Sequence, residues 1–305
     1  MYDSIIILGP TATGKTKISI ELAKTMNTEI VNADSMYIYR DLSIGTAKPT
    51  EDEKEGIVHH VIDVADPKES FNVVNYRNLA ENVIINMKNR GKVPIIVGGT
   101  GFYIDSLIKN YSYGCTFDSQ LRANLEEELQ DKGKIYMYNK LASINPELAQ
   151  KLNVNDTVRI IRALEICLQS EDQSNLYSNN LEPILKHPLI IGLNIDREQL
   201  YSRINQRVDI MLQNGLLDEV KTLVDKGYNP LSHQSMRGIG YKEIYDYLIG
   251  NCTLEDAIEK IKQHTRNYAK RQITWFKRNN QIIWLNPLTS SIHDNINTIL
   301  NLFNN

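Results

Sequence analysis

Cysteine and long apolar runs are both scarce in this chain of 305 residues. Its three cysteines, Cys115, Cys167 and Cys252, are odd in number and widely spaced, which indicates reduced thiols rather than a disulfide framework. No run approaches the ~18 apolar residues of a membrane-spanning helix, and because the first strand-like segment begins near residue 4 we expect no leader peptide. We therefore expect a cytoplasmic monomer that makes no contact with a membrane.

The familiar metal-ligand spacings are also missing. The chain has no Cys-x-x-Cys and no His-Glu-x-x-His pattern. The adjacent His59 and His60 fall in an expected strand, where their rings would point to opposite faces. We therefore expect no metal site built from histidine and cysteine. The net charge of −3 by itself neither favours nor excludes a nucleic-acid partner.

Strand-like and helical patterns alternate along most of the chain. A helix is predicted over residues 72–89, with Leu79, Val83 and Met87 on one face. The strand-like runs lie near residues 4–8, 29–33, 57–62, 93–97, 188–194 and 281–285. Such alternation predicts an α/β fold in which a mainly parallel sheet is flanked by helices.

The alternation stops between about residues 116 and 170. The segments 118–132, 134–143, 146–152 and 156–169 all have helical patterns, separated by breakers such as Gly133. We therefore predict an all-helical domain, residues 116–187, inserted into an α/β core made of residues 1–115 and 188–305. The polar stretch from Ser170 to Asn180 is expected to be a loop.

A phosphate-binding motif follows the apolar run Ile5–Leu8. Residues 9–16 read Gly-Pro-Thr-Ala-Thr-Gly-Lys-Thr, the G-x-x-x-x-G-K-T pattern of a P-loop, and a helical pattern comes next. In such a loop, backbone N–H groups and the helix N-terminus bind a di- or triphosphate. Lys15 would neutralise phosphate oxygens, and the Thr16 hydroxyl would bind Mg2+. The motif predicts a P-loop kinase-like core.

The acid that usually accompanies a P-loop is missing from its expected place. P-loop NTPases carry a Mg2+-binding aspartate at the end of an apolar strand, but residues 93–97 lead into Gly98-Gly99-Thr100-Gly101. One interpretation is that the metal-binding acid follows another strand. The other is that the loop binds a diphosphate group without hydrolysing a nucleotide.

Asp34 follows the strand-like run that ends at Ala33. Because ligands of open α/β sheets bind beyond the carboxyl ends of the strands, Asp34 and the P-loop are expected to face one crevice. The carboxylate could cap a turn through Asp34-Ser35-Met36-Tyr37, or it could act as a general base on an incoming nucleophile.

A basic helix is predicted over residues 253–278. Between Lys260 and Arg278 it carries seven lysines and arginines and no acid, and Tyr268, Gln272 and Trp275 share one face. This composition favours a patch for nucleic-acid phosphates, although a solvated helix with its aromatic residues in the core would show the same pattern. Arg159 and Arg162, three residues apart on one helical face, form a smaller cluster.

These motifs, taken in order, resemble those of the bacterial tRNA dimethylallyltransferases. The resemblance extends over almost the whole chain and is carried by Gly9–Thr16, Asn32–Tyr37, Asp41–Pro49, His59–Asp63, Pro94–Tyr103, Arg159–Glu165, Arg207–Leu212, Gly240–Glu243 and Arg266–Phe276. It implies that the chain binds dimethylallyl diphosphate and the anticodon stem-loop of tRNA. The dimethylallyl group would pass to the N6 amine of the adenosine on the 3′ side of the anticodon.

The resemblance also implies roles for individual residues. Asp34 matches the general base of the family, and Thr100 matches a threonine beside the reacting groups. The residues implied to bind the diphosphate are Gly9, Pro10, Thr11, Ala12, Thr13, Gly14, Lys15, Thr16 and Arg207, with Mg2+ on Thr16. The residues expected to contact tRNA are Asp34, Ser35, Met36, Tyr37, Thr100, Arg122, Val158, Arg159, Ile160, Ile161, Arg162, Lys270 and Arg271.

Three alternatives stay open from the residues themselves. The first is a prenyltransferase that acts on a free adenine nucleotide, against which the helical insertion and the basic helix argue. The second is a P-loop nucleotide kinase, which the missing acid after Val97 disfavours. The third is a nucleic-acid-binding P-loop protein that responds to nucleotide without performing chemistry.

Overall fold

The structure is a computed structural model that describes residues 2–110, 118–169 and 181–305. It divides into a core unit, Met1–Lys109 with Pro183–Asn305, and a helical unit, Asn110–Glu182. Residues 183–187, which we expected in the insertion, lie with the core unit, because the N–H groups of Ile184 and Leu185 both donate to the Leu107 carbonyl. Cys115 and the expected loop over 170–180 lie outside the described residues.

The core unit contains a six-stranded sheet in which all pairings are parallel. The strands are β1 (Ser4–Leu8), β2 (Ile30–Asn32), β3 (His59–His60), β4 (Ile95–Gly98), β5 (Pro188–Leu193) and β6 (Ile283–Leu285). All six strand-like runs are confirmed, and their order across the sheet is β3-β2-β4-β1-β5-β6. The central strands are apolar and buried on both faces, as a parallel sheet covered by helices requires.

The strand order determines which chain segments meet at the carboxyl edge of the sheet. Strand β4 lies between β1 and β2, with Leu8 opposite Gly98 and Asn32 opposite Val97. The P-loop, the Gly98–Gly101 turn and Asp34 therefore leave three adjacent strands at the same edge, as the sequence predicts.

Helices cover the sheet and form the remainder of the core unit. They are α1 (Lys15–Thr25), α2 (Glu51–Lys54), α3 (Val73–Asn89), α4 (Gly101–Ile108), α8 (Arg197–Gln213), α9 (Leu216–Asp225), α10 (Tyr241–Leu248), α11 (Leu254–Phe276) and α12 (Ile292–Asn304). The predicted basic helix is α11, which begins after the capping residue Thr253. No helix in the described ranges is both long and apolar enough to cross a membrane.

The buried face of α3 differs from the predicted one. Asn72 caps this helix by accepting from the N–H groups of Val74 and Asn75. The core-facing side chains include Tyr76, Ala80, Ile84 and Met87, whereas Leu79 is 38% exposed. Because Tyr76 stacks on Tyr103 of α4, the aromatic residue rather than Leu79 sets the orientation of the helix.

The helical unit has its own apolar core. It consists of α5 (Ser119–Ile144), α6 (Pro146–Gln150) and α7 (Thr157–Gln169), which together bury Leu125, Met137, Leu141 and Leu164. Gly133, with φ 79° and ψ 171°, is not helical and divides the α5 range into two helices at the predicted break. The unit is thus a compact helical bundle within the described residues.

At the amino edge of the sheet, opposite the P-loop, one buried carboxylate binds several basic side chains. Glu29, just before β2, is buried and accepts hydrogen bonds from Nη1 and Nη2 of Arg90, each at 2.7 Å. Lys92 Nζ lies 2.6 Å and His60 Nε2 lies 2.7 Å from the same carboxylate. These hydrogen bonds, Arg90 foremost, lower the pKa of Glu29 far below its ordinary value of 4.5.

Candidate active site

The P-loop turns sharply between β1 and α1, and glycine makes the turn possible. Gly9 has a φ of +147°, and a Cβ there would lie 2.4 Å from the Leu193 carbonyl oxygen. Gly14 has a φ of +90° and precedes the first residue of α1, Lys15. The loop therefore presents its backbone N–H groups and a helix N-terminus to the same place, which is the geometry of an anion cradle.

Lys15 lies against its own loop. Its ammonium donates to the Pro10 carbonyl at 2.8 Å, and the Thr13 hydroxyl donates to the same carbonyl at 2.9 Å. Burial lowers the pKa of Lys15 to about 8, with the positive charge of Arg207 acting in the same direction and the charge of Asp34 opposing it. The cradle thus contains a cation whose charge is sensitive to pH near neutrality.

Two arginines of α8 support the cradle. Arg207 donates to the Thr11 hydroxyl at 3.4 Å and to the Ala47 carbonyl at 3.3 Å. Arg203, one turn earlier, donates from Nε to the Ala12 carbonyl at 2.8 Å. The sequence pointed to Arg207 but not to Arg203, whose spacing of four residues places it on the same helix face.

Asp34 lies directly beyond β2 and is partly buried. Its Oδ1 accepts from the Met36 N–H at 2.9 Å, so the capping interpretation describes part of what this carboxylate does. Burial raises the pKa of Asp34, while the Met36 hydrogen bond and the charges of Lys15 and Arg207 oppose the rise. A carboxylate with a raised pKa within electrostatic reach of the cradle cations is suited to accept a proton.

Thr100 connects the turn after β4 to the segment after β2. Its hydroxyl oxygen accepts from the Ser35 N–H at 3.0 Å and lies 3.2 Å from the Ser35 hydroxyl. Its backbone N–H donates to the Ala33 carbonyl at 3.1 Å. A Cβ on Gly98 would meet the Ala33 carbonyl at 2.1 Å, so only glycine allows these backbones to approach so closely.

One face of α11 packs on the same turn. The Gln272 amide accepts from the Thr11 N–H at 3.1 Å and donates to the Gly99 carbonyl at 2.8 Å. The Trp275 indole lies over Gly101 and donates to Asp105 at 3.1 Å. Burial raises the pKa of Tyr268, and the charge of Asp34 raises it further. The aromatic residues of this helix therefore line the site and the core. This arrangement agrees with the alternative expectation for the basic helix, in which its aromatic residues lie in the core.

Tyr37 and the loop over residues 43–48 form the far wall. The Tyr37 hydroxyl donates at 2.7 Å to the Ala47 carbonyl, which also accepts from Arg207. Burial raises the pKa of Tyr37 to about 12, and the nearby Asp34 charge adds to the effect. The hydroxyl is therefore a neutral donor at physiological pH.

A single carboxylate, Glu219, holds the other end of the 43–48 loop. Glu219 accepts from the N–H groups of Ser43, Ile44 and Gly45 at 3.0, 2.8 and 3.1 Å, and from the Tyr241 hydroxyl at 2.7 Å. A Cβ on Gly45 would lie 2.7 Å from the Tyr241 ring. The Asp41–Pro49 and Gly240–Glu243 motifs therefore meet at Glu219, which hydrogen-bonds to both segments.

The residues expected to contact tRNA in the helical unit differ in accessibility. Arg159 is 67% exposed and lies 3.4 Å from Asp156. Arg122 and Arg162 both approach the fully buried Glu165, at 3.3 and 2.9 Å. Val158 is 66% exposed, whereas Ile160 and Ile161 lie in the core of the unit. The side chains of Ile160 and Ile161 are therefore closed to a ligand, whereas Arg159 and Val158 are exposed and Arg122 and Arg162 are partly accessible.

The basic face of α11 is smaller than the sequence indicates. Lys262 pairs with Asp209 at 2.6 Å, and Arg266 pairs with Glu259 at 3.1 Å. Lys270 and Arg271 are exposed, and the Arg271 guanidinium lies 5.6 Å from the Tyr268 ring centre. The acids that neutralise part of the helix come from α8 and from its own first half.

The donor set of the site fits a Mg2+ held mainly by a ligand's phosphates. In the described ranges no group of three histidine, cysteine or acidic side chains could bind a metal by itself. Thr16, the second residue of α1, follows Lys15 at the cradle and is the residue expected to offer an oxygen to the metal. Mg2+ commonly binds through one or two such protein oxygens together with phosphates and water.

The chain is similar to proteins of one family over most of its length. Its residues 37–279 match the family model described as IPP transferase. It is 46% identical to a tRNA dimethylallyltransferase of Acetivibrio thermocellus, over 94% of this chain and 92% of that protein.

Two solved structures are also similar. One is a full-length tRNA isopentenylpyrophosphate transferase from Bacillus halodurans, at a TM-score of 0.74 and 41% identity, covering 99% of this chain and 96% of the other. The second is a eukaryotic dimethylallyltransferase acting on tRNA, at a TM-score of 0.81 and 32% identity, covering 95% of this chain and 75% of the other. With its P-loop, Asp34 and Thr100 at one sheet edge, the chain belongs to the IPP transferase family.

Proposed function

We propose that this protein transfers a dimethylallyl group from dimethylallyl diphosphate to the N6 amine of the adenosine on the 3′ side of the tRNA anticodon. The observation that carries the proposal is the convergence of the P-loop cradle with Asp34 and Thr100 at one edge of the sheet. Relatives that cover nearly the whole chain bear names that specify action on tRNA.

The cradle suits a leaving diphosphate. When the bond between the allylic carbon and the diphosphate oxygen breaks, its electron pair leaves with the diphosphate, and negative charge grows on those oxygens. Lys15, Arg207 and the backbone N–H groups of the P-loop would stabilise that charge, apart from Pro10, which has no N–H, and Thr11, whose N–H donates to Gln272. A bound Mg2+ would add further charge neutralisation, with the Thr16 hydroxyl as its protein donor.

Asp34 suits the role of general base. The N6 amine of adenine is a weak nucleophile because its lone pair is delocalised into the ring. As the new bond between nitrogen and carbon forms, one N6 proton must leave, and the Asp34 carboxylate would accept it. Thr100, held by Ser35, would stand beside the reacting groups and orient the amine.

The tRNA would be recognised by its backbone and by an unstacked base. An adenosine can reach a partly buried carboxylate only when it leaves its stack, which a single-stranded loop permits at small cost. The segment Asp34–Tyr37 would surround the base. Phosphates would be bound by the exposed cations Arg159, Lys270 and Arg271, and by Arg122 and Arg162 at their accessible faces.

Transfer of label tests the proposal. The protein is incubated with labelled dimethylallyl diphosphate and either unmodified tRNA or AMP, and separately with labelled ATP and the same acceptors. Label that moves from dimethylallyl diphosphate only to tRNA is the expected result. Movement to AMP would instead identify a prenyltransferase of free nucleotides, and phosphoryl transfer from ATP would identify a kinase.

A further inference from the structure

Gln272 is the one side chain in the described part of the chain that hydrogen-bonds to both the P-loop and the Gly98–Gly101 turn. We infer that Gln272 is a positioning residue for the proposed transfer, fixing the spacing between the diphosphate cradle and Thr100. The inference rests on the proposed function. It adds a residue that would act through two loops, one expected to hold the diphosphate and the other the incoming amine.

The contacts of Gln272 are complete and buried. Its side chain is 5% exposed, its Oε1 accepts from the Thr11 N–H at 3.1 Å, and its Nε2 donates to the Gly99 carbonyl at 2.8 Å. The two loops leave adjacent strands, and the bridging residue lies 261 residues after Thr11 and 173 residues after Gly99 in the chain. Because both polar ends are satisfied, the amide is held in one orientation.

The turn is shaped to receive this helix face. A Cβ on Gly99 would lie 2.2 Å from Gln272 Nε2, and a Cβ on Gly101 would lie 2.3 Å from the Trp275 ring. Trp275 is fixed in turn by its hydrogen bond to Asp105. Two glycines therefore leave room for two side chains of α11, and Thr100 stands between them.

The spacing matters because the proposed reaction breaks one bond and forms another at the same carbon. The cradle would hold the leaving oxygens, whereas Thr100 and Asp34 would hold the incoming amine and its proton. An error of about 1 Å between such groups can lower a rate about 100-fold. Only a side chain that both accepts and donates at this length can join a backbone N–H of one loop to a carbonyl of the other.

Three substitutions test the role. Gln272→Met keeps the shape and removes both hydrogen bonds, whereas Gln272→Glu keeps the bond from Thr11 and loses the donation to Gly99. Gln263→Met changes an exposed glutamine of the same helix and is the matched control. Steady-state rates are measured for dimethylallyl diphosphate and tRNA, with circular dichroism and thermal melting to verify folding.

The expected result separates kcat from KM. In Gln272→Met, kcat falls about 10- to 100-fold while the KM for tRNA stays within twofold. In Gln272→Glu, kcat also falls, and the KM for dimethylallyl diphosphate rises because a carboxylate faces the diphosphate. Gln263→Met behaves as wild type. In the double variant with Thr100→Ala, the two losses are less than additive, since both act through the same turn.

A folded Gln272→Met protein with kcat within twofold of wild type overturns the inference, as do fully additive losses with Thr100→Ala. If the methionine variant does not fold, the Gln272→Glu protein decides by the same kcat criterion. Wild-type protein that transfers no label to tRNA rejects the proposed function and this inference with it. Transfer by wild type with unchanged Gln272 variants rejects the inference alone.

Discussion

The Lys15 ammonium donates to the Pro10 carbonyl at 2.8 Å, so the principal cation of the cradle rests on the loop that carries it. Burial there lowers its pKa to about 8. A diphosphate would offer this ammonium a stronger, charged acceptor. Burial in the folded protein therefore disfavours the charged form of Lys15, which is the form that would bind the diphosphate.

This relationship predicts a bell-shaped dependence of kcat/KM for dimethylallyl diphosphate on pH. On the alkaline side Lys15 loses its proton as the pH rises through about 8, and binding weakens. On the acid side activity falls as Asp34 is protonated, with a midpoint above the ordinary value of 3.8 because its pKa is raised. In Lys15→Arg the alkaline limb moves to higher pH, since arginine keeps its charge. If the alkaline limb does not move in Lys15→Arg, it reports the titration of a group other than Lys15.

Asp34→Asn is expected to lower the rate of prenyl transfer by about 10²- to 10⁴-fold, because the amide cannot accept the N6 proton. Diphosphate binding, which depends on the cradle, stays near that of wild type. Single-turnover transfer and equilibrium binding of dimethylallyl diphosphate measure the two effects. Asp52→Asn, at an exposed position of α2, is the control. Near-normal turnover in a folded Asp34→Asn protein would remove Asp34 from the role of base.

Glu219→Gln is expected to loosen the 43–48 loop. In this variant an amide N–H group replaces one carboxylate oxygen and faces a backbone N–H group from which that oxygen now accepts. The free energy of unfolding therefore falls by about 1–3 kcal/mol. Activity falls as well, since this loop presents Ala47 to Tyr37 and Arg207. Urea unfolding and kcat/KM measure these changes. Tyr241→Phe removes the hydroxyl that donates to Glu219 but keeps the carboxylate, and it should cost less; an equal or larger loss would contradict the ranking.

Glu29→Gln is expected to lower the free energy of unfolding by about 2–4 kcal/mol at pH 7, because the buried amide can no longer balance Arg90 and Lys92. The pKa of Glu29 is lowered in the folded state. Its contribution is therefore complete above its ordinary value of 4.5 and is lost as the pH falls below that value.

Urea unfolding from pH 7 to pH 3 checks both statements for Glu29. The stability gap between wild type and Glu29→Gln should narrow as the pH drops below 4.5. Glu51→Gln, which removes an ion pair whose carboxylate is 88% exposed, should change stability far less than Glu29→Gln does. A gap for Glu29→Gln that stays constant with pH would show that its charge does not contribute.

Arg159→Ala is expected to weaken tRNA binding and to reduce the slope of log Kd against log salt by about one, the effect of one lost phosphate contact. The arginine is 67% exposed, so the fold should not depend on it. Binding titrations between low and physiological salt measure the slope. Lys151→Ala, another exposed cation of the same unit, is the comparison, and equal slopes for wild type and Arg159→Ala would exclude the contact.

Local patterns predicted most of the fold and the centre of the site. Strands, helix caps and the P-loop depend on residues that are neighbours in sequence, and Gly133 appears at the predicted break. The parallel sheet then implied that Asp34 and the P-loop share an edge, without knowledge of side-chain contacts.

The supporting contacts could not be predicted in this way. Three side chains hydrogen-bond to backbone groups that are far away in the sequence. The separation is 261 residues for Gln272, 174 to 176 for Glu219 and 191 for Arg203, and no local pattern specifies such a partner. The shared face of Tyr268, Gln272 and Trp275 was visible, but its partner was not. Likewise, the acids that neutralise Lys262 and Arg266 could not be paired with them from spacing alone.

Strand β2 begins after one carboxylate and ends before another, and their surroundings shift acidity in opposite directions. Hydrogen bonds from the surrounding cations lower the pKa of Glu29, whereas desolvation raises the pKa of Asp34, which binds a proton more readily than a free aspartate. The three-residue strand β2 thus separates Glu29, which stabilises the fold through its ion pairs, from Asp34, the proposed proton acceptor. Variation around Glu29 could retune heat and acid tolerance while the chemistry at the opposite edge stays untouched.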